Sequence, residues 1–167
     1  MTTPFGSPRA LAAWALVGYA ALHLFFAFFD WLLPGDGTFT GRSAGAGFTS
    51  LFVMAMPVVA VLLAVHVAPV LSHAKLIAAV ALVEYAASLV FGVFALLIGV
   101  GAVVDGPINN SNDAFDALAY FVMGAAALAL IAVAGWVTYQ AFVRLGGSLP
   151  VAMNRTPAPP PPPPPAA

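Results

Sequence analysis

Four long apolar runs constrain the fold of this chain more than any other feature. They cover residues 10–33, 48–71, 76–104 and 114–143. Each run is long enough for a helix to cross a bilayer, which takes about 20 mainly apolar residues. The segments between them hold the glycine, proline and polar residues that interrupt helices. We therefore predict an all-α fold, a four-helix transmembrane bundle with up-down-up-down topology.

The composition agrees with a lipid environment. The chain is 62% hydrophobic and only 7% charged, whereas soluble domains carry roughly 25% charged residues. So few charges could not cover the surface of a water-soluble fold of this size. The net charge of −1, with five basic residues, argues against nucleic-acid binding, which needs a basic patch. The absence of cysteine excludes disulfides, thiolate metal ligands and cysteine nucleophiles.

The basic residues predict an orientation. Arg9, Lys75, Arg144 and Arg155 fall on one side of a four-span layout, and only Arg42 falls on the other. Because positive charge is enriched in cytoplasmic segments, both termini are predicted to be cytoplasmic. The location that follows is the cell membrane, with the lipid bilayer as the first partner.

The two ends flank the transmembrane domain. We predict a short cytoplasmic N-terminus over residues 1–9, the transmembrane domain over 10–146, and a disordered proline-rich tail over 147–167. The run Pro159–Pro165 is typical of an extended polyproline helix of about 3.1 Å per residue. Such a tail is either a ligand for the aromatic-lined groove of a protein partner or a low-complexity spacer.

One acid stands out in the third span. Glu84 is the only Asp, Glu, Lys, Arg or His between Leu76 and Val104. Helical spacing places it on a face of small residues that favours close helix packing. The members of this predicted packing face are Ser88, Gly92, Ala95 and Gly99. We therefore expect Glu84 to point into the bundle, because exposure of a charge at the bilayer centre costs several kcal/mol.

Three other polar side chains are candidates to join Glu84. At a rise of 1.5 Å per residue from the predicted cytoplasmic ends, Tyr19 and Glu84 lie about 13 and 12 Å deep. His23 lies about 19 Å deep and His66 about 8 Å. Glu84, Tyr19, His23 and His66 are thus predicted to form an intramembrane polar cluster.

The cluster has two interpretations. In the first, Glu84 is a protonated acid that hydrogen-bonds Tyr19, His23 or His66 and fixes the helix register. In the second, Glu84 is a proton or cation site in a transport path, with Tyr19 and His23 as relay groups. The sequence favours the first, since no second acid lies at the depth of Glu84 and no inverted repeat is apparent.

Enzymatic and cofactor chemistry find little support. The chain has no HExxH, GxGxxG, P-loop or nucleophile-elbow motif. A haem held by His23 and His66 would need both rings at one height, and the two differ by about 11 Å. We predict no metal site, no cofactor and no enzymatic activity.

Two further patterns concern helix packing. Pro57 lies inside the second span and should kink it, because proline cannot donate the usual backbone hydrogen bond. In the fourth span, Ala125, Ala129 and Ala132, with Gly124 and Gly135 nearby, indicate a seam for close packing against another helix.

Three stretches carry a resemblance to a known group. The segments "SPRALAAWALVGYAALHLFFAFFDWLLPGDG", "AKLIAAVALVEYAASLVFG" and "FDALAYFVMGAAALALIAVAG", with the proline-rich tail, resemble small uncharacterised four-pass membrane proteins of high-GC Gram-positive bacteria. The layout is also similar to that of MARVEL-type proteins, which organise membranes. The resemblance implies a four-pass fold but no site residue.

Together these features predict a non-enzymatic interaction or scaffold subunit of the cell membrane. The alternative is a small proton- or cation-coupled transporter or channel component using Glu84 with Tyr19 and His23. The chain is also compatible with self-association into a homo-oligomer.

Overall fold

Four helical segments of the chain are long and apolar enough to cross a membrane. In a computed structural model, which describes residues 7–35, 37–104 and 111–148, they are Pro8–Leu32, Phe39–Val65, Ala74–Val104 and Asp113–Arg144. Every regular element within these described ranges is helical. The predicted all-α fold with four spans is confirmed, and the chain has the architecture of a multi-pass membrane protein.

The second span covers Phe39–Val65 in several pieces, whereas one helix was predicted over 48–71 and a connection before it. It consists of α2 (Phe39–Ala44), a 3-10 turn (Gly47–Thr49) and α3 (Leu51–Val65). The side chain of Ser50 caps α3 by accepting a hydrogen bond from the Val53 amide. The short helix α2 is what the sequence does not predict, because residues 39–47 are rich in glycine and polar residues and look like a connection.

The remaining helices are continuous. The first span is α1 (Pro8–Leu32), the third is α4 (Ala74–Val104) and the fourth is α5 (Ser111–Arg144). The central element is α4, which packs against all four other helices, whereas α1 and α5 do not approach each other over the described residues. Of the four spans, α5 is the least buried. Large apolar side chains are exposed on all four spans, as expected for surfaces solvated by lipid.

The predicted small-residue face of α4 is where the broken span packs. Ser88, Gly92, Ala95 and Gly99 are all buried. A Cβ atom added at Gly99 would lie 2.9 Å from the Ala44 backbone and would also meet the Tyr120 hydroxyl. The glycine therefore allows a backbone-to-backbone approach of α2 and α4 that any side chain would prevent.

The small-residue seam predicted on α5 faces outward and does not pack against another helix of the bundle. Ala125, Ala129 and Ala132 are exposed, whereas Gly124 and Gly135 face α4. A Cβ at Gly124 would lie 2.5 Å from Leu96 Cδ1, and one at Gly135 would lie 3.4 Å from Tyr85 Cβ. The two glycines, set on an adjacent stripe of α5, thus provide the close approach that was expected of the alanines.

Basic side chains secure the end of the bundle where α1 begins and α5 ends. Arg9 donates hydrogen bonds to the carbonyls of Val67 and Pro69, beyond the end of α3. Lys75 donates a hydrogen bond to the Gly146 carbonyl at 2.9 Å, beyond the end of α5. These contacts bind loop carbonyls that follow α3 and α5 and so tie the start of α1 to the end of α3 and the start of α4 to the end of α5.

Pro57 is buried inside α3, as its role in packing requires. Its missing N–H leaves the α3 backbone short of one hydrogen bond. In the same region, the hydroxyl of Tyr85 on α4 donates a hydrogen bond of 2.8 Å to the Met54 carbonyl. Tyr85 is 1% exposed, so this bond ties α4 to α3 in the middle of the bundle.

We expect Tyr85→Phe to lower the free energy of unfolding by about 0.5–1.5 kcal/mol, the usual range for one hydrogen bond. Tyr19→Phe is the matched control, because the half-exposed Tyr19 makes no hydrogen bond within the described residues. Unfolding by SDS titration in mixed micelles measures both. Equal stability of the two variants would contradict the role assigned to the Tyr85 hydroxyl.

Candidate functional site

Glu84 is the most unusual polar residue of the spans. It is 4% exposed, and neither Oε1 nor Oε2 has a hydrogen-bond partner within the described residues. The nearby hydroxyl of Ser88 donates to the backbone carbonyl of Glu84, at 2.9 Å, and not to its carboxyl group. Buried polar side chains are nearly always hydrogen-bonded, so an acid left in this state calls for an explanation.

A groove between α1 and α4 runs past Glu84. It has a volume of about 370 Å³ and is almost entirely apolar. Its lining residues are Ala21, Leu24, Phe25, Phe28, Val83, Glu84, Ala87 and Phe91. Val83 and Phe25 are more than half exposed, so the groove opens on the outer surface of the bundle, where the surrounding medium is lipid.

The structure does not bring the predicted polar cluster together. Tyr19 is 50% exposed, and its ring makes an edge contact with Phe52 of α3. His66 is the exposed residue after α3 and lines a separate cleft with Gln140 and Arg144. No hydrogen bond within the described residues links either of them to Glu84. Helical spacing predicts a shared height, but it does not fix which faces of two helices meet.

His23 does not contact Glu84 but lies against the break in the second span. Its Nε2 atom lies 3.2 Å from the Ser50 hydroxyl and 3.4 Å from the Gly47 carbonyl. A Cβ at Gly47 would be 3.3 Å from the same nitrogen, so the turn packs tightly against the imidazole. His23 therefore joins α1 to the 3-10 turn and to Ser50, the residue that caps α3.

A wide cleft lies above His23 at the end of the bundle opposite the termini. Its volume is about 840 Å³, and its walls include His23, Asp30 and Arg42. Asp30 and Arg42 carry opposite charges but form no ion pair. Arg42 instead donates to the Gly37 carbonyl at 3.2 Å, and its guanidinium lies 5.6 Å from the Phe39 ring centre. Asp30 makes no polar contact within the described part of the chain.

Sequence reasoning missed the polar role of Trp31. This residue has the appearance of an interfacial tryptophan near a helix end, but its indole N–H donates to the Ser43 hydroxyl at 2.8 Å. Ser43 in turn donates to the Phe39 carbonyl at 2.9 Å. The Trp31 ring packs edge-on against Phe48 and beside Phe91. These contacts hold α2 and the 3-10 turn against α1 and α4.

Metal binding and known relatives were the remaining possibilities. Within residues 7–35, 37–104 and 111–148, no group of three His, Asp, Glu or Cys residues could hold a metal ion. Comparison of the chain with protein-family models, with curated proteins and with solved structures gives no match. The case for a function therefore depends on Glu84, His23 and their surroundings.

We expect Glu84→Met to raise the free energy of unfolding of the isolated protein by about 1–3 kcal/mol, because it removes an unsatisfied buried polar group and nearly keeps its volume. Glu84→Gln retains a buried polar group and should change stability much less. SDS unfolding in mixed micelles compares the two. A loss of stability in Glu84→Met would show that the carboxyl group has a partner within the folded chain.

Proposed function

We propose that this protein is a non-enzymatic interaction subunit of a membrane assembly, and that the groove between α1 and α4 receives a transmembrane helix of its partner. The observation that carries the proposal is Glu84, a buried acid with two unpartnered carboxyl oxygens beside a groove that opens to lipid. Acids inside membranes usually pair with another polar or charged group. The partner helix would supply that group.

The chemistry of the partner follows from the groove. An apolar helix face would cover Phe25, Phe28 and Val83, and a lysine or arginine on that face would pair with Glu84. A second copy of this chain is a poor occupant, since its lysines and arginines within the described residues all lie near the ends of helices. The proposed partner is therefore a different protein with a basic residue inside its span.

A photo-cross-linking amino acid at Val83 tests this proposal in intact cells. We expect specific adducts with one membrane protein, and at least a tenfold loss of them in Glu84→Met and Glu84→Gln, because both variants remove the charge that pairs with the basic residue. The same cross-linker at Val133, exposed on α5, is the positional control and should give none of these adducts.

Two further variants separate packing from charge. Ala87→Phe fills the groove and leaves Glu84 in place, so it should also remove the adducts. Ala129→Phe makes the same change on the exposed face of α5 and should keep them. Adducts that survive Ala87→Phe, or adducts with a second copy of this chain alone, would overturn the proposal.

The proline-rich tail is a second proposed contact with a protein partner. Residues 149–167 lie outside the described residues, so the proposal depends on the sequence alone. A chain ending at Asn154 separates the two contacts. Adducts from Val83 should persist in that chain if the groove binds the partner by itself. With both termini proposed to be cytoplasmic, the tail would act on that side of the cell membrane.

The second candidate function is proton or cation transport. It is favoured by the break in the second span, where His23 lies below a cleft that also holds Asp30 and Arg42. Interrupted helices with free backbone groups are typical of transporter sites. However, Glu84 is reached by neither Tyr19 nor His23 through a hydrogen bond in the described chain, so no continuous relay supports transport.

For the protein in proteoliposomes, we therefore expect no pH-driven flux that depends on Glu84. The measurement compares proton or cation uptake for the unaltered chain, Glu84→Gln and His23→Ala under an imposed pH difference. A flux that is present in the unaltered chain and abolished by Glu84→Gln would favour transport over the interaction function.

A further inference from the structure

A second cavity adjoins α4, separate from the Glu84 groove and farther along the helix. It lies between the broken second span, α4 and α5, has a volume of about 260 Å³, and opens to the outer surface beside the exposed Met123. Its lining residues are Ser43, Ala44, Ala46, Phe48, Thr49, Gly92, Ala95, Leu96, Tyr120, Met123, Gly124 and Ala127.

Small residues create this space, and leucine side chains pack close beside it. Six of its lining residues are glycine or alanine. The Leu128 side chain packs on Gly92, where an added Cβ would lie 2.9 Å from Cδ2, and the Leu96 side chain packs on Gly124, where an added Cβ would lie 2.5 Å from Cδ1. These contacts of leucine side chains with glycine backbone hold α4 and α5 together beside the cavity.

Two hydroxyl groups on the cavity wall are available to a ligand. Thr49 and Tyr120 make no hydrogen bond within the described residues. The Ser43 hydroxyl is already hydrogen-bonded, since it accepts from the Trp31 indole N–H and donates to the Phe39 carbonyl. No Asp, Glu, Lys, Arg or His lines the cavity. A ligand would therefore meet two O–H donors on an otherwise apolar, uncharged wall.

We propose that this cavity is a binding site for a small uncharged ring molecule that carries a carbonyl oxygen. The size is sufficient, because an apolar protein cavity of about 150 Å³ already binds benzene. The carbonyl oxygen would accept a hydrogen bond from the hydroxyl of Thr49 or Tyr120. The absence of a lining charge favours a neutral molecule, and a neutral ring can reach the site by partitioning into the bilayer.

Acetophenone and α-methylstyrene are suitable probes, since they have nearly the same shape and only acetophenone has a carbonyl oxygen. We expect acetophenone to raise the melting temperature of the purified protein in detergent in a saturable manner. The shift with α-methylstyrene should be at most half as large. Thr49→Val and Tyr120→Phe should reduce the acetophenone shift to that of α-methylstyrene, without changing the response to α-methylstyrene itself.

Filling the cavity provides the decisive control. Ala127→Leu places a larger side chain in it and should abolish both shifts. Ala126→Leu makes the same change on the neighbouring exposed position and should keep them. Equal shifts in the unaltered chain and Ala127→Leu would show that the probes act on the micelle and would overturn the proposal.

If Ala127→Leu fails to fold, Thr49→Val decides the matter, because it is nearly isosteric. If the melting-temperature shifts with acetophenone and α-methylstyrene still differ by the same amount in Thr49→Val and in Tyr120→Phe, the proposed site is also wrong. These measurements use purified protein without a partner, so their outcome is independent of the proposed interaction at Glu84.

Discussion

The close approach of the broken second span to α4 is the contact on which the rest of the structure depends. Irregular backbone is tolerated at membrane depth only where protein covers it or where it lines a cavity. The break between α2 and α3 is covered because Gly92 and Gly99 present no side chain to it. His23 and Trp31 then supply the hydrogen bonds that hold it there. A larger residue at Gly99 would remove the cover and expose the break.

The sequence predicts the framework well because the framework depends on composition and periodicity. Four spans follow from apolar length, and the buried face of α4 follows from the spacing of Ser88, Gly92, Ala95 and Gly99. These properties belong to one helix at a time. The break in the second span is different, because its local signals, the glycines Gly45 and Gly47 and the capping residues Thr38 and Ser50, are equally typical of a plain loop between two spans. They do not predict that the short helix α2 forms before the break.

The candidate site was less predictable because it depends on which helix faces meet. Tyr19 and Glu84 have similar predicted heights, but Tyr19 lies beside Phe52 and Glu84 lies on the groove formed with α1. His23 shows the converse, because it makes polar contacts that the sequence did not predict. Its partners, Ser50 and Gly47, become polar neighbours only because the chain breaks there. Which helix faces meet is decided by the whole bundle, and the residue pattern of one helix does not predict it.

The separation of α1 from α5 has a consequence for how the two sides of the protein communicate. In a closed bundle each outer helix touches two neighbours, so a shift can travel around the ring. Here α4 stands between them and contributes to both the Glu84 groove and the cavity near Gly92. Any influence of one occupant on the affinity for the other must act through α4 or the second span. By thermodynamic linkage that influence would be reciprocal, so a ring molecule that tightens partner binding would itself be held more tightly in the assembled complex.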